Sequence, residues 1–195
     1  TGSAVAWNMP NRLNFLTVVP MFHCNGWCYP WTVPMLNGRT ICLRNIDVKK
    51  IFELIDEYDV THFGGAPIVL NMITGAPESD RKKLKNKVHV LTAGAPPPSI
   101  IFKKMKELGF EVMHVYGLTE TYGHVTQCAW NNAWDKFDEE KQNEIKARQG
   151  VRYPNTEGIS VMDPETMKEV PKDGKTIGEI MIKGNIVMKG YFKDK

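Results

Sequence analysis

The chain has 195 residues, 42% hydrophobic and 24% charged, a composition that excludes a disordered, collagenous or coiled-coil polypeptide and allows a sizeable core. Its 25 Lys and Arg against 22 Asp and Glu leave a net charge of +3, too little to argue for nucleic acid or an anionic membrane surface, which need clustered charge. No apolar run approaches the roughly 20 residues that span a bilayer, and nothing in the residues reads as a secretory signal. Four sparse cysteines (Cys24, Cys28, Cys42, Cys128) do not make a disulfide framework, so a reducing, cytoplasmic setting is expected.

In chain order, Leu13 to Val19 reads as a strand stopped by Pro20, and Arg39 to Leu43 as another. Asp47 is placed to cap a helix whose apolar residues Val48, Ile51, Phe52, Leu54 and Ile55 follow helical spacing. Thr61 to Phe63 predicts a strand ending at Gly64-Gly65-Ala66-Pro67, with Pro67 suited to the first turn of the next helix. Val88 to Leu91 repeats the logic: it ends in Thr92-Ala93-Gly94-Ala95-Pro96, a helix follows from Pro98 or Ser99, and Gly109 closes it. Val112 to Tyr116 then returns as a strand running into Gly117-Leu118-Thr119-Glu120. Two successive strand–helix–strand passes imply parallel strands with right-handed crossovers. Ligands of such sheets bind beyond the carboxyl ends of the strands, so the loops 64–67, 92–96 and 117–120 should share one face.

Residues 135–148 are densely charged with mixed signs and predict a solvated surface helix. Beyond Val151 the chain reads as turns (Met162 to Glu165, Lys172 to Gly174) and short strands (Ile177 to Lys183, Ile186 to Lys189), which places a boundary near Gly150. The fold class expected is therefore α/β: a parallel-sheet portion over residues 1–150, then the start of a small β-rich subdomain over 151–195.

His23-Cys24-Asn25-Gly26-Trp27-Cys28 invites a metal site or a Cys–His nucleophile. The spacing does not match a zinc knuckle and no second cluster supplies ligands, while a Cys–His pair needs residues brought together from distant segments. Small buried thiols at a strand end explain the cysteines better, but leave His23 beside Trp27 unexplained. Gly94-Ala95-Pro96 and Tyr116 to Glu120 are informative together. Small residues let a flat ring approach the backbone, Tyr116 offers a stacking surface, Thr119 a hydroxyl and Glu120 a carboxylate of the kind that holds Mg²⁺ alongside phosphate oxygens. The plainer alternative is a helix start with Thr119 as its cap.

These motifs resemble the adenylate-forming acyl-CoA synthetases. Tyr116-Gly117-Leu118-Thr119-Glu120 is similar to the family's Tyr-Gly-x-Thr-Glu signature, Pro20-Met21-Phe22-His23 to its Pro-x-Phe-His motif, and Gly94-Ala95-Pro96 to its adenine-binding loop. Gly178 to Gly184, followed by Val187-Met188-Lys189-Gly190-Tyr191, resembles the strand pair closing its large domain. The context Phe22 to Trp27 is closest in kind to the medium-chain, plant acyl-activating and methylmercaptopropionate–CoA ligase branch. The resemblance implies a ligase that joins a carboxylic acid to coenzyme A through an acyl-adenylate, with ATP and Mg²⁺. It implies catalytic roles for His23, Thr119 and Glu120, with Glu120 as the Mg²⁺ ligand. Nucleotide would meet Gly94, Ala95, Pro96, His114, Val115, Tyr116, Gly117, Leu118 and Thr119, and the acyl group His23, Trp27, Gly64, Gly65, Ala93 and Gly117. Nothing in residues 1–12 resembles the family's phosphate loop, and its ribose-binding Asp, hinge and mobile domain with the catalytic Lys are not seen. The segment is thus expected to be the middle of a longer enzyme, inactive alone and partnered by the rest of its own polypeptide. Two rivals stand beside this reading: an adenylation domain loading a carrier protein, and an inert binding module.

Overall fold

In the computed structural model, which describes residues 1–193, period-two alternation along the strands decides which side chains meet which helices. After a short helix α1 (Gly2–Ala6), β1 (Asn14–Thr17) buries Phe15 on one face of the sheet and Leu16 on the other. The chain then makes a single turn, α2 (Cys24–Trp27), and a helix, α3 (Tyr29–Met35), before β2 (Arg39–Cys42). α4 (Val48–Tyr58) starts where predicted: the Asp47 carboxylate accepts the Lys50 N–H at 2.8 Å, and Ile51, Phe52, Leu54 and Ile55 are buried. β3 (His62–Gly64) leads to α5 (Pro67–Gly75) with proline in its first turn, and β4 (Val88–Thr92) to α6 (Ser99–Glu107), after which Gly109 reverses the chain at φ +92°. β5 (Phe110–Leu118) is longer than expected and is followed by a 3₁₀ turn (Thr119–Thr121) and β6 (Gly123–Gln127).

One seven-stranded sheet has the order β2-β1-β3-β4-β5-β6 and, last, β7 (Val151–Arg152). β2 to β5 are mutually parallel through β1, as predicted, whereas β6 and β7 run antiparallel. α4, α5 and α6 cover one face around Ile51, Phe63, Leu70, Val90, Phe102 and Met105. α1 and α3 cover the other around Trp7, Phe15, Tyr29, Val33, Leu91 and Val115. Helices on both faces with the order 2-1-3-4-5 make a doubly wound sheet whose switch point lies between β1 and β3.

The C-terminal third departs from expectation in three places. The charged stretch is a 3₁₀ turn (Asn132–Lys136) and a short helix, α7 (Glu139–Lys146), capped by Asp138; it is not free of the core, because Asn143 and Ile145 are buried against α6 and β5. β7 keeps residues 151–152 in the large sheet, so the change of sheet falls beyond Gly150. β8 (Gly158–Met162) then pairs antiparallel with β9 (Glu179–Lys183) as a separate two-stranded sheet. The expected turns are present, Asp163 accepting the N–H groups of Glu165 and Thr166, and Asp173 those of Lys175 and Thr176. Residues 186–189 are not a strand. Their backbone crosses to the end of β5 instead, where the Met188 N–H meets the Glu120 carbonyl at 2.8 Å.

Candidate active site

Because β1 to β4 are parallel, their carboxyl ends open on one side of the sheet, and a cleft of about 310 Å³ lies there, at the switch point. Val18, Val19 and Pro20 follow β1, Ile46 follows β2, Gly65 and Ala66 follow β3, and Ala93 and Gly94 follow β4; His23, Trp27, Ile68 and Val69 complete the lining. Four of the residues expected to meet an acyl group, His23, Trp27, Gly65 and Ala93, therefore converge. Among the described residues no carboxylate lines this cleft. Val18, Val19, Ile46 and Ile68 were missed in the sequence, where nothing marks which apolar residue after a strand faces a cavity and which faces the core.

Two other expected wall residues have different work. Gly64 is a support, not a surface: a Cβ there would lie 3.0 Å from Trp27 Cε3, so the indole rests on the end of β3. Gly117 is glycine because a Cβ would collide with the Gly123 carbonyl, where the β5–β6 register shifts between residues 116 and 117.

His23 is exposed, with its ring 4.6 Å from that of Phe22. Cys24 and Cys28 are half-buried and not core thiols. From Cys24 to Cys28 every residue has positive φ, between 40° and 66°, a left-handed turn that only Gly26 adopts without strain. What holds it is contact with the loop after β5. Cys24 Sγ lies 3.8 Å from the Leu118 carbonyl, Cys28 Sγ donates to the Tyr122 carbonyl at 3.3 Å, and Trp31 Nε1 donates to Tyr122 Oη at 3.2 Å. The turn is thus the partition between the cleft and the Tyr116–Glu120 segment.

That segment carries the expected nucleotide motif. Gly94, Ala95 and Pro96 are exposed after β4, Tyr116 and Gly117 are half-buried, and Leu118 and Thr119 are exposed. The side chains of His114 and Val115 are engaged elsewhere. His114 Nδ1 pairs with the Ala147 carbonyl at 2.8 Å under α7, where burial holds the imidazole below its ordinary pKa, and Val115 lies in the core beside Trp7 and Leu91. Thr121, not Thr119, ties the turn together: its hydroxyl accepts the Leu118 N–H and sits 3.0 Å from the Leu118 and Gly123 carbonyls. Glu120 Oε1 accepts the Tyr191 hydroxyl at 2.7 Å, and this bond holds the carboxyl below its usual range.

The donor set bears on the metal. Among the described residues no three His, Cys, Asp or Glu side chains group around a common point. One half-buried carboxylate, Glu120, with a single side-chain partner on one oxygen fits a Mg²⁺ ion shared with phosphate oxygens.

A doubly wound sheet with an apolar cleft at its switch point and a Thr-Glu turn beside it is an α/β domain with a candidate small-molecule site where ligands of such sheets bind. The model of the AMP-binding enzyme family matches residues 2–192; the chain belongs to that family. It is 52% identical over 190 residues to the peroxisomal acetate/butyrate–CoA ligase AAE7 of Arabidopsis thaliana, covering 96% of this chain and 33% of that protein. It is 50% identical over 194 residues to the acetate–CoA ligase CCL3 of Humulus lupulus, covering 98% and 34%. The chain spans about a third of the length of these relatives. Among solved structures, the N-terminal domain of FACL13 from Mycobacterium tuberculosis matches 99% of this chain and 46% of its own with TM-score 0.77 at 24% identity. The o-succinylbenzoate–CoA synthetase of Bacillus subtilis, in complex with ATP and magnesium, matches 99% and 37% with TM-score 0.76 at 21%. Both likenesses show the fold.

Proposed function

We propose that the chain is part of the large domain of an ATP-dependent acyl-CoA synthetase acting on a small aliphatic carboxylic acid. The observation that carries this reading is the joining of two sites by one turn: an apolar cleft walled by His23, Trp27, Gly65 and Ala93, and the Thr119–Glu120 loop to which Cys24 and Cys28 tie it. A carboxylate oxygen of the acid attacks the α-phosphorus of ATP and pyrophosphate leaves. The thiol sulfur of coenzyme A then attacks the acyl carbonyl, AMP leaves, and the thiol proton passes to solvent.

The residues act mainly by positioning. The cleft sheathes the aliphatic chain and excludes water, with His23 at its exposed end beside the carboxylate. Tyr116 and the Gly94-Ala95-Pro96 loop bracket the adenine, and the Thr119 hydroxyl meets a phosphate oxygen. Glu120 would hold Mg²⁺, which neutralises charge on the departing pyrophosphate. The phosphate loop, the ribose-binding Asp and the catalytic Lys would come from the remainder of the same polypeptide, and the 195 residues alone are expected to be inactive. The four free thiols support a reducing compartment, and we take it to be the cytoplasm.

The carrier-protein reading is weaker on one observation: an amino acid substrate needs a carboxylate to hold its ammonium group, and none lines the described cleft. The acids in the relatives' names, acetate, butyrate and 2-methylpropanoate, support the choice of a short aliphatic acid. The test is ATP–pyrophosphate exchange by the full-length protein across acids from acetate to octanoate and across the common amino acids, then AMP release on adding coenzyme A. Exchange with short acids and release with free coenzyme A are expected; exchange only with amino acids would end this reading.

A further inference from the structure

Gly190-Tyr191 closes the Val187–Tyr191 motif read in the sequence as part of a strand pair, and the structure brings it to Glu120 instead. The segment after β9 grips that residue twice, the Met188 N–H on its carbonyl at 2.8 Å and the Tyr191 hydroxyl on its Oε1 at 2.7 Å, the latter across 71 residues of chain. Little apolar packing accounts for this approach, since Tyr191 is 52% exposed and Phe192 90%. Gly190 makes the turn at φ +150° with open space around its missing Cβ, so the glycine serves backbone conformation and the conformation serves to aim Tyr191.

We propose that Tyr191 is a positioning residue for Glu120, holding the carboxylate in the orientation that presents Oε2 to a divalent cation bound with nucleotide. The proposal rests on the reading of Glu120 as the cation ligand. A glutamate at the surface samples several rotamers and loses that freedom on binding an ion. A phenol fixed on one oxygen removes the freedom beforehand and leaves the second oxygen open, so the ligand is preorganised. Hydroxyl-to-carboxylate bonds are charge-assisted and among the stronger protein hydrogen bonds, which suits a clamp that must survive in water. No other side chain donates to this carboxylate among the described residues.

The experiment uses the full-length protein with ATP and no acid, so that nothing turns over, and calorimetry of ATP binding at a series of Mg²⁺ concentrations. In Tyr191→Phe, the Mg²⁺ concentration for half-maximal ATP binding should rise roughly ten-fold, the scale of one lost hydrogen bond to a charged group. The melting temperature in the absence of ligand should hold. In a Glu120→Ala background, Tyr191→Phe should add nothing, because the two residues act as one unit. An unchanged or lower Mg²⁺ requirement in Tyr191→Phe, or a drop in melting temperature with the Mg²⁺ requirement intact, overturns the role for Tyr191 while leaving Glu120 in place. If Glu120→Ala itself leaves the Mg²⁺ requirement unchanged, the reading of Glu120 fails first.

Discussion

Gly64 lies flat beneath Trp27: a Cβ on residue 64 would stand 3.0 Å from Trp27 Cε3 and 3.2 Å from Cζ3. The indole also meets the His124 ring in a T-shaped pair, with centroids 5.2 Å apart. One wall of the cleft is therefore set by the end of β3 and by β6, two strands that are not neighbours in the sheet. Acid selectivity should respond to residues that never touch the acid.

The first prediction follows from that wall. Ala93→Leu fills the cleft directly and should shorten the preferred acid, each excluded methylene costing about 1–3 kcal/mol in kcat/KM. Gly64→Ala should also move the chain-length optimum by displacing the indole, whereas Gly75→Ala, with nothing within 4 Å, should not. A chain-length series of kcat/KM for the three variants checks this. An optimum that stays put in both wall variants would place the acyl chain elsewhere.

The second concerns Gly117. A methyl group there cannot coexist with the Gly123 carbonyl, and the β-bulge leaves no flexible side chain to yield. Gly117→Ala should cost about 3 kcal/mol or more of stability, the upper range of overpacking. Gly94→Ala, which meets open space but sits at φ +95°, should cost only about 1–2 kcal/mol for the left-handed backbone. Urea denaturation of both variants gives the comparison, and equal losses would show that the bulge relaxes.

The third is a pH dependence. Burial holds His124 at a pKa of about 4, with neither ring nitrogen hydrogen-bonded, and holds His62 at about 4 with help from nearby His89. The unfolded chain takes up these protons near pH 6.5 and the folded chain refuses them until about pH 4. Stability is therefore full above pH 6.5 and falls as the pH drops through that window, by about 3 kcal/mol for each histidine at the lower end. His124→Phe should flatten the slope of unfolding free energy between pH 6.5 and 4.5. A slope identical to wild type would mean that His124 is protonated in the folded state.

The fourth concerns thiols. Cys42 is exposed, Cys128 is buried with its Sγ 3.1 Å from the Ile145 carbonyl, and burial raises the Cys28 pKa to about 11. Since the thiolate is the nucleophile, iodoacetamide at pH 8 should label Cys42 well before Cys28 or Cys128. Peptide mass mapping over a time course reads the order. Early labelling of Cys28 would show that the left-handed turn opens readily.

Most of the α/β frame is legible in the residues alone, because its cues are local. Asp47 and Pro67 mark helix starts, Gly109 a helix end, and apolar runs of strand length between them leave only a parallel sheet as a way to bury both faces. The motif Tyr116 to Glu120 is equally local, and so is the family it resembles. Contacts between distant segments have no such signature. That Gly64 supports Trp27, that Gly117 yields to Gly123, that His114 turns under α7, and that residues 186–189 run to Glu120 instead of pairing as a strand are each decided by where the sheet order brings two backbones within van der Waals or hydrogen-bond reach. Local propensity sets what a segment can form, but only the packed sheet sets which carbonyl, ring or carboxylate lies opposite it.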